Sequence, residues 1–382
     1  MVYLDHASSR PVDPRVLAFA GRYLREDFGN PSTLYSRGLT ARTALEEARV
    51  KVARLIGAET PSCIVFTATA TEANNLALVG GALRNRKMGT HVVTSAIDHI
   101  SVINPMKQLQ KQGFELSIVP VDSYGIIDLD ALGRIVRADT VLASINYAND
   151  EIGTIEPIHE ISEIVHENGN YLHVNATAAA GTIPIDVQAE GIDLLTLSSN
   201  ELYGPRGAAA LYIKKGVRLQ PVLPGGGQER GLRSGTENIF AVAAMGEAAH
   251  LAAEEMHHES RRLTTVRDAL IGEILAIEDA YLTGHPTQRL PNHASFRFGR
   301  IEGESILLNL DTVHDIQVAT GSACTSQTLE PSHVLLAIGL KHEEAHGSVV
   351  MTLGRSNTDA DIPVVVDAME KTVQRLRAIT AL

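Results

Sequence analysis

The sequence predicts an α/β fold: a mostly parallel sheet covered on both faces, followed by a smaller α+β region. Three observations predict it. Seven short apolar, often β-branched runs recur between residues 64 and 213, with helix-like stretches between several of them. That order is the one expected of strands joined by crossover helices. The remainder of the chain mixes strands and helices less regularly. Finally, 382 residues are too many for one small core and suggest two domains, or one large and one small.

In chain order, loops at 3–9 (YLDHASS) and 28–32 (FGNPS) bracket a short helical segment at 13–26. Residues 42–57 read as an amphipathic helix, with Leu45, Ala48, Val52, Leu55 and Ile56 on one stripe. The strand-like runs follow at 64–67, 91–94, 114–119, 141–146, 171–175, 194–197 and 208–213, with helices expected at 76–84, 100–112 and 158–168. After a glycine loop at 225–227, a helical stretch from 238 to about 263 leads into the last part. That part holds strands at 294–298 and 348–352 and helices at 305–310, 333–339 and 362–380.

Composition removes several function classes. A net charge of −12 argues against nucleic acid or an anionic membrane as the main partner. No apolar run approaches the roughly 20 residues of a membrane span, and the first residues lack the pattern of a secretory signal. Two cysteines, Cys63 and Cys324, are too few for a disulfide framework and fit a reducing cytoplasm.

Several stretches carry chemistry. The run from Ile64 to Asn75 ends a strand in small and hydroxyl residues and opens a helix, whose free N–H groups suit a phosphate. On chemistry alone the plainer reading leads, a threonine cap with Glu72 in the first turn. His99, taken alone, is an ordinary histidine after a strand. The segment from Gly225 to Asn238, dense in glycine with two arginines, is either an anion-approach loop or a flexible connection. Cys324, set among Gly321, Ser322, Ala323, Thr325 and Ser326, is expected to be exposed and reactive. Cys63, on an apolar run, is expected to be buried and inert. His342-Glu343-Glu344-Ala345-His346 matches a zinc pattern literally, but Gly339 and Gly347 leave too short a helix to hold both histidines, and zinc is not expected.

Taken together these stretches resemble the NifS/IscS-type cysteine desulfurases, pyridoxal-phosphate (PLP) enzymes of fold type I. The resemblance runs from residue 3 to about 380. It rests on the 3–9 and 28–32 loops, the Ala70-Thr71 pair, His99, the GGGQERGLRSGT run from Gly225 to Thr236, and Gly321-Ser322-Ala323-Cys324. It implies a homodimer with a large seven-stranded domain at 15–250 and a small domain from 1–14 and 251–382 that carries the Cys324 loop. It also implies phosphate binding by Ala70 and Thr71, ring stacking by His99, further cofactor positions at Ser198 and Asn200, and a phosphate contact from Thr236 across the dimer interface. Cys324 would accept sulfur as a persulfide and could ligate a nascent iron–sulfur cluster shared with an IscU-type scaffold protein.

Other positions depart from the family pattern. The lysine that bonds PLP is Glu201 here, and a carboxylate cannot form an imine. The aspartate that pairs with the ring nitrogen is Asn175. The partners of the ring oxygen are Ala178 and Asp150, and the arginine that clamps the substrate carboxylate is Val350. These positions are distant in sequence and share only the cofactor site. The leading expectation is therefore a cytoplasmic, cysteine-desulfurase-like protein of iron–sulfur assembly without PLP-dependent activity, its PLP absent or non-covalent. Two alternatives stand beside it: an active desulfurase using non-covalent PLP, and a remodelled pocket that binds another anionic small molecule through Thr71 and Thr236.

Overall fold

The computed structural model describes residues 1–321 and 331–380. In chain order its strands are β1 (Val2–Tyr3), β2 (Ile64–Thr67), β3 (His91–Ser95), β4 (Glu115–Val119), β5 (Thr140–Asn146) and β6 (Tyr171–Asn175). Then follow β7 (Leu194–Ser198), β8 (Ala209–Ile213), β9 (Ala280–Leu282), β10 (His293–Phe298), β11 (Ile316–Gln317) and β12 (Ser348–Thr352). Strands β2 to β8 form one seven-stranded sheet in the order β2-β8-β7-β6-β5-β3-β4. The ladders from β7 through β4 are parallel; β8 alone runs against its neighbours β2 and β7. This is the mostly parallel, seven-stranded α/β sheet that the spacing of apolar runs predicts.

Side chains of a strand alternate between faces, and here both faces are buried. Ile64, Phe66, Leu195, Leu197, Ala210 and Tyr212 enter one core. Their neighbours Val65, Leu194, Leu211 and Ile213 enter the other. The helix Ser36–Leu55 covers the first face together with Ile239–Ile274. Those two helices approach so closely that a Cβ on Gly246 would lie 2.5 Å from the Ala48 Cα. Only glycine leaves room there.

The Ile239–Ile274 helix is 36 residues long and does not stop near residue 263. At ~1.5 Å per residue it spans about 54 Å. Its first half feeds the sheet core through residues such as Ala241, Met245 and Ala252. Its second half feeds another core through Leu263, Val266, Leu270 and Ile274. The continuing apolar stripe explains the extra turns. The second core is closed by the antiparallel sheet β12-β10-β9 and by Leu4 from the chain start. Leu4 is stitched in by its N–H to the Gln317 carbonyl (2.8 Å) and its carbonyl to the Thr352 N–H (2.7 Å).

Smaller corrections have local causes. The 13–26 segment forms two pieces, Pro14–Ala20 and Arg22–Arg25, separated at Gly21. The helix expected at 76–84 already starts at Ala70 and has π-type bonding over Leu76–Gly80. A short helix at Leu129–Ile135, capped by Asp128 through the Ala131 N–H, goes unannounced by periodicity because it is only two turns long. Among the described residues, no helix is long and apolar enough to cross a membrane.

Candidate functional site

A cavity of about 440 Å³ opens beyond the C-terminal ends of β3, β5 and β6, where parallel sheets place their ligand crevices. The strand-end residues Asn146 and Asn175 line it, with Ile97 and His99 from the segment after β3. Its other wall comes from the C-terminal part of the chain: Asn292, His293, Thr320, Gly321, Ser332, His333, Val350 and Thr352.

Each wall residue is held by local structure. Asn149 shapes the turn after β5: its Oδ1 accepts the N–H groups of Glu151 and Ile152, both at 2.9 Å, and its Nδ2 donates to the Ile97 carbonyl. The turn closes at Gly153, whose φ of +77° and tight packing on the His293 ring exclude a side chain. Asp150 and Glu151 are thereby delivered to the cavity. Glu151 accepts a 2.6 Å hydrogen bond from the Ser332 hydroxyl through Oε2, while Oε1 is buried without a partner. Burial pushes its carboxyl up to about 8, helped by the nearby Asp150 charge. His99 caps the helix Ile100–Lys111, its Nδ1 accepting the Ser101 N–H at 3.1 Å. Asn175 Oδ1 accepts from the Thr177 hydroxyl at 2.5 Å. Glu201 lies in the one-turn helix Asn200–Leu202 just past β7. The Asn200 amide donates to its Oε1 at 3.2 Å, the Arg10 guanidinium donates to its backbone carbonyl, and its Oε2 is buried and unpartnered.

Eight of the positions singled out in the sequence meet in this cavity: Ala70, Thr71, His99, Asp150, Asn175, Ala178, Glu201 and Val350. They come from segments up to 280 residues apart, from Ala70 to Val350. Ser198 and Asn200 stand next to it but do not line it. Thr236 is exposed on its loop and outside the lining of this single chain. Cys324 falls outside the described residues; Gly321, three positions before it, lines the cavity. Cys63 is 6% exposed. The His342–Ala345 helix is one turn long and ends before His346. Sequence reasoning missed Asn292 and His293 as wall residues. They stand at the start of an ordinary strand, Asn292 just before it and His293 as its first residue, and nothing in the pattern marks them.

The class-V aminotransferase family model matches residues 2–365. The chain belongs to that family. A protein named cysteine desulfurase IscS 1 from Archaeoglobus fulgidus is 53% identical over 382 residues, covering 100% of this chain and 99% of the relative. One named cysteine desulfurase IscS from Dictyoglomus turgidum is 46% identical over 99% of this chain and 96% of its own length. Among solved structures, a NifS-like protein superposes with a TM-score of 0.92 at 34% identity, covering 98% of this chain and all of the other. A NifS-like protein from Rickettsia africae gives 0.89 at 29% identity, over 98% and 99% of the two chains. The fold is that of fold-type I PLP transferases, and PLP is the cofactor of this family.

The cavity is a poor match for covalently held PLP. Holding the aldehyde needs an amine, and no lysine is among the residues that line it. Arg10 is the one arginine in the lining, and it spends its donors on the His6 and Glu201 carbonyls and the Thr182 hydroxyl. Asp5, Asp150, Glu151 and Glu201 place four carboxyl side chains in the same lining.

Proposed function

We propose that this protein serves iron–sulfur cluster assembly as a cytoplasmic, homodimeric, cysteine-desulfurase-like protein that no longer carries out the PLP-dependent step. It partners an IscU-type scaffold and offers Cys324 as a persulfide carrier or as a ligand to the forming cluster. The observation that carries the reading is Glu201. It lines a cavity with no lysine among its described lining residues, and one of its carboxyl oxygens is buried without a partner. Asn175, Ala178, Asp150 and Val350 support it, because all four departures from the family pattern meet in the same cavity. The retained Gly321-Ser322-Ala323-Cys324 run supports a sulfur or cluster role.

The names of the relatives favour a second reading. The proteins at 53% and 46% identity are called cysteine desulfurases. On that reading this chain releases alanine and loads Cys324 with sulfur, using PLP held without a covalent bond. Cluster assembly on a scaffold, followed with wild type and Cys324→Ala, tests the thiol's role: loss of assembly is expected. Unchanged assembly in the variant would remove Cys324 from both readings.

A further inference from the structure

The segment that carries Cys324 leaves the fold at Gly321 and returns at Ser332, three residues before the cysteine and eight after it. These two ends are anchored to different parts of the molecule. The first is tied to β12, whose Val349 and Met351 enter the second core. Ala319 and Val350 exchange backbone hydrogen bonds at 2.9 and 2.8 Å, and the Gly321 N–H donates to the Ser348 hydroxyl at 3.1 Å. The second end is tied to segments that follow strands of the seven-stranded sheet. His333 Nε2 donates to the Asp98 carbonyl at 3.0 Å, and Val334 and Leu335 join Ile97 and Ile152 in one apolar cluster.

Glu151, in the turn after β5, meets both ends. Its Oε2 accepts the Ser332 hydroxyl at 2.6 Å. Its Oε1 lies so close to Gly321 that a Cβ there would be 2.1 Å away, so a side chain at 321 and this carboxyl exclude one another. The same Ser332 oxygen accepts the N–H groups of Val334 and Leu335 at 3.1 and 3.4 Å, which passes the constraint on to the helix His333–Ala337. Ser332 is 4% exposed, and a hydrogen bond so shielded from water is costly to lose. We propose that Glu151 is a positioning residue for the sulfur-handling thiol: its carboxyl clasps Gly321 and Ser332 and so fixes where the Cys324 segment leaves and re-enters the fold.

The inference rests on the reading of Cys324 as the working thiol and deepens it, and the two fail separately. Glu151→Ala removes the clasp. Glu151→Gln keeps an acceptor for Ser332 and matches the shape of the protonated acid, the form that burial favours at neutral pH. Backbone hydrogen exchange at pH 7 reads the clasp itself. In Glu151→Ala it is expected to speed up at Gly321 and at Val334 and Leu335 together, and in Glu151→Gln to match the wild type. Cluster assembly on the scaffold reads the consequence: at least about threefold slower with Glu151→Ala, because a loosely held thiol meets its acceptor in the right geometry less often, and restored with Glu151→Gln. Should Glu151→Ala lose its native circular dichroism, Gly321→Ala, whose Cβ displaces the carboxyl, takes its place with the same expectation. Unchanged exchange at either end, unchanged assembly, or Glu151→Gln behaving like Glu151→Ala would each overturn the proposal. Cys324→Ala reports on the other reading: if it leaves assembly unchanged, the thiol has no such role, whatever the exchange at the two ends shows.

Discussion

Glu151 shows how a single side chain couples the site to pH. Its carboxyl is raised from an ordinary 4.5 to about 8 by burial, and its Oε2 takes the Ser332 hydroxyl that also caps the helix His333–Ala337. Below about pH 4.5 folded and unfolded chains both hold this proton, and the group leaves stability unchanged. Between about 4.5 and 8 only the folded chain holds it, so stability falls as pH rises across that window. Asp98, raised to about 7 by complete burial, and Glu156, raised to about 8, act in the same direction. Buried His6, His173 and His293, held neutral at lowered values, give the opposite slope up to about pH 6.5, so the test lies above it: Tm is expected to be lower at pH 8 than at pH 6.5. Glu151→Gln, which keeps an acceptor for Ser332, should flatten that slope; an unchanged slope would remove Glu151 from the explanation. At Gly153 the expectation is steric. A Cβ there would come within 2.8 Å of the His293 ring at a φ of +77°, so Gly153→Ala should lower stability by about 1–3 kcal/mol. Chemical denaturation measures it directly.

The glycine-rich loop is held at the scale of elements. Glu229 and Arg230 adopt left-handed backbone conformations, with φ of 45° and 56°. What fixes them is a buried ion pair reaching across the fold: Arg49, from the helix Ser36–Leu55, forks onto Glu229 with two 2.8 Å contacts. Glu229 also takes the Phe66 N–H from β2 at 2.8 Å. Removing the arginine leaves a buried carboxylate uncompensated. Arg49→Met should cost about 3–5 kcal/mol in denaturant unfolding, and a loss under 1 kcal/mol would mean that the loop is held by other contacts. The elements themselves were largely legible, because the sheet strands are short apolar runs bounded by turns. The 36-residue helix is cut short in the reading near 263, where the polar run Glu259 to Arg262 and the pair Thr264-Thr265 interrupt the stripe before Val266, Leu270 and Ile274 resume it. The Arg49–Glu229 pair was not legible at all. The two residues are 180 positions apart, and each looks like an ordinary charged surface residue.

At the scale of the whole molecule, the site became readable only because scattered departures converge. Asp150, Asn175, Ala178, Glu201 and Val350 are unremarkable one by one, and the fold brings all five to one cavity. Sequence likeness supplied that list; spacing alone could not, since the residues come from the turn after β5, the end of β6, the segment after β7 and the middle of β12. Asn292 and His293 escape notice because a wall brought in from the C-terminal part of the chain leaves no local signature. The acidic lining also bears on the expectation of another anionic ligand, because four carboxyl side chains and one arginine are among the described residues that line the cavity. The central claim is that this family fold has kept its sulfur-handling cysteine and lost its PLP chemistry. One measurement tests it most directly: the visible spectrum of the purified protein, titrated with PLP and then with L-cysteine, with alanine release followed in the same sample. The account predicts no protein-bound PLP band and no alanine. A band that changes on adding cysteine, with alanine formed, would contradict it and make the protein a working desulfurase.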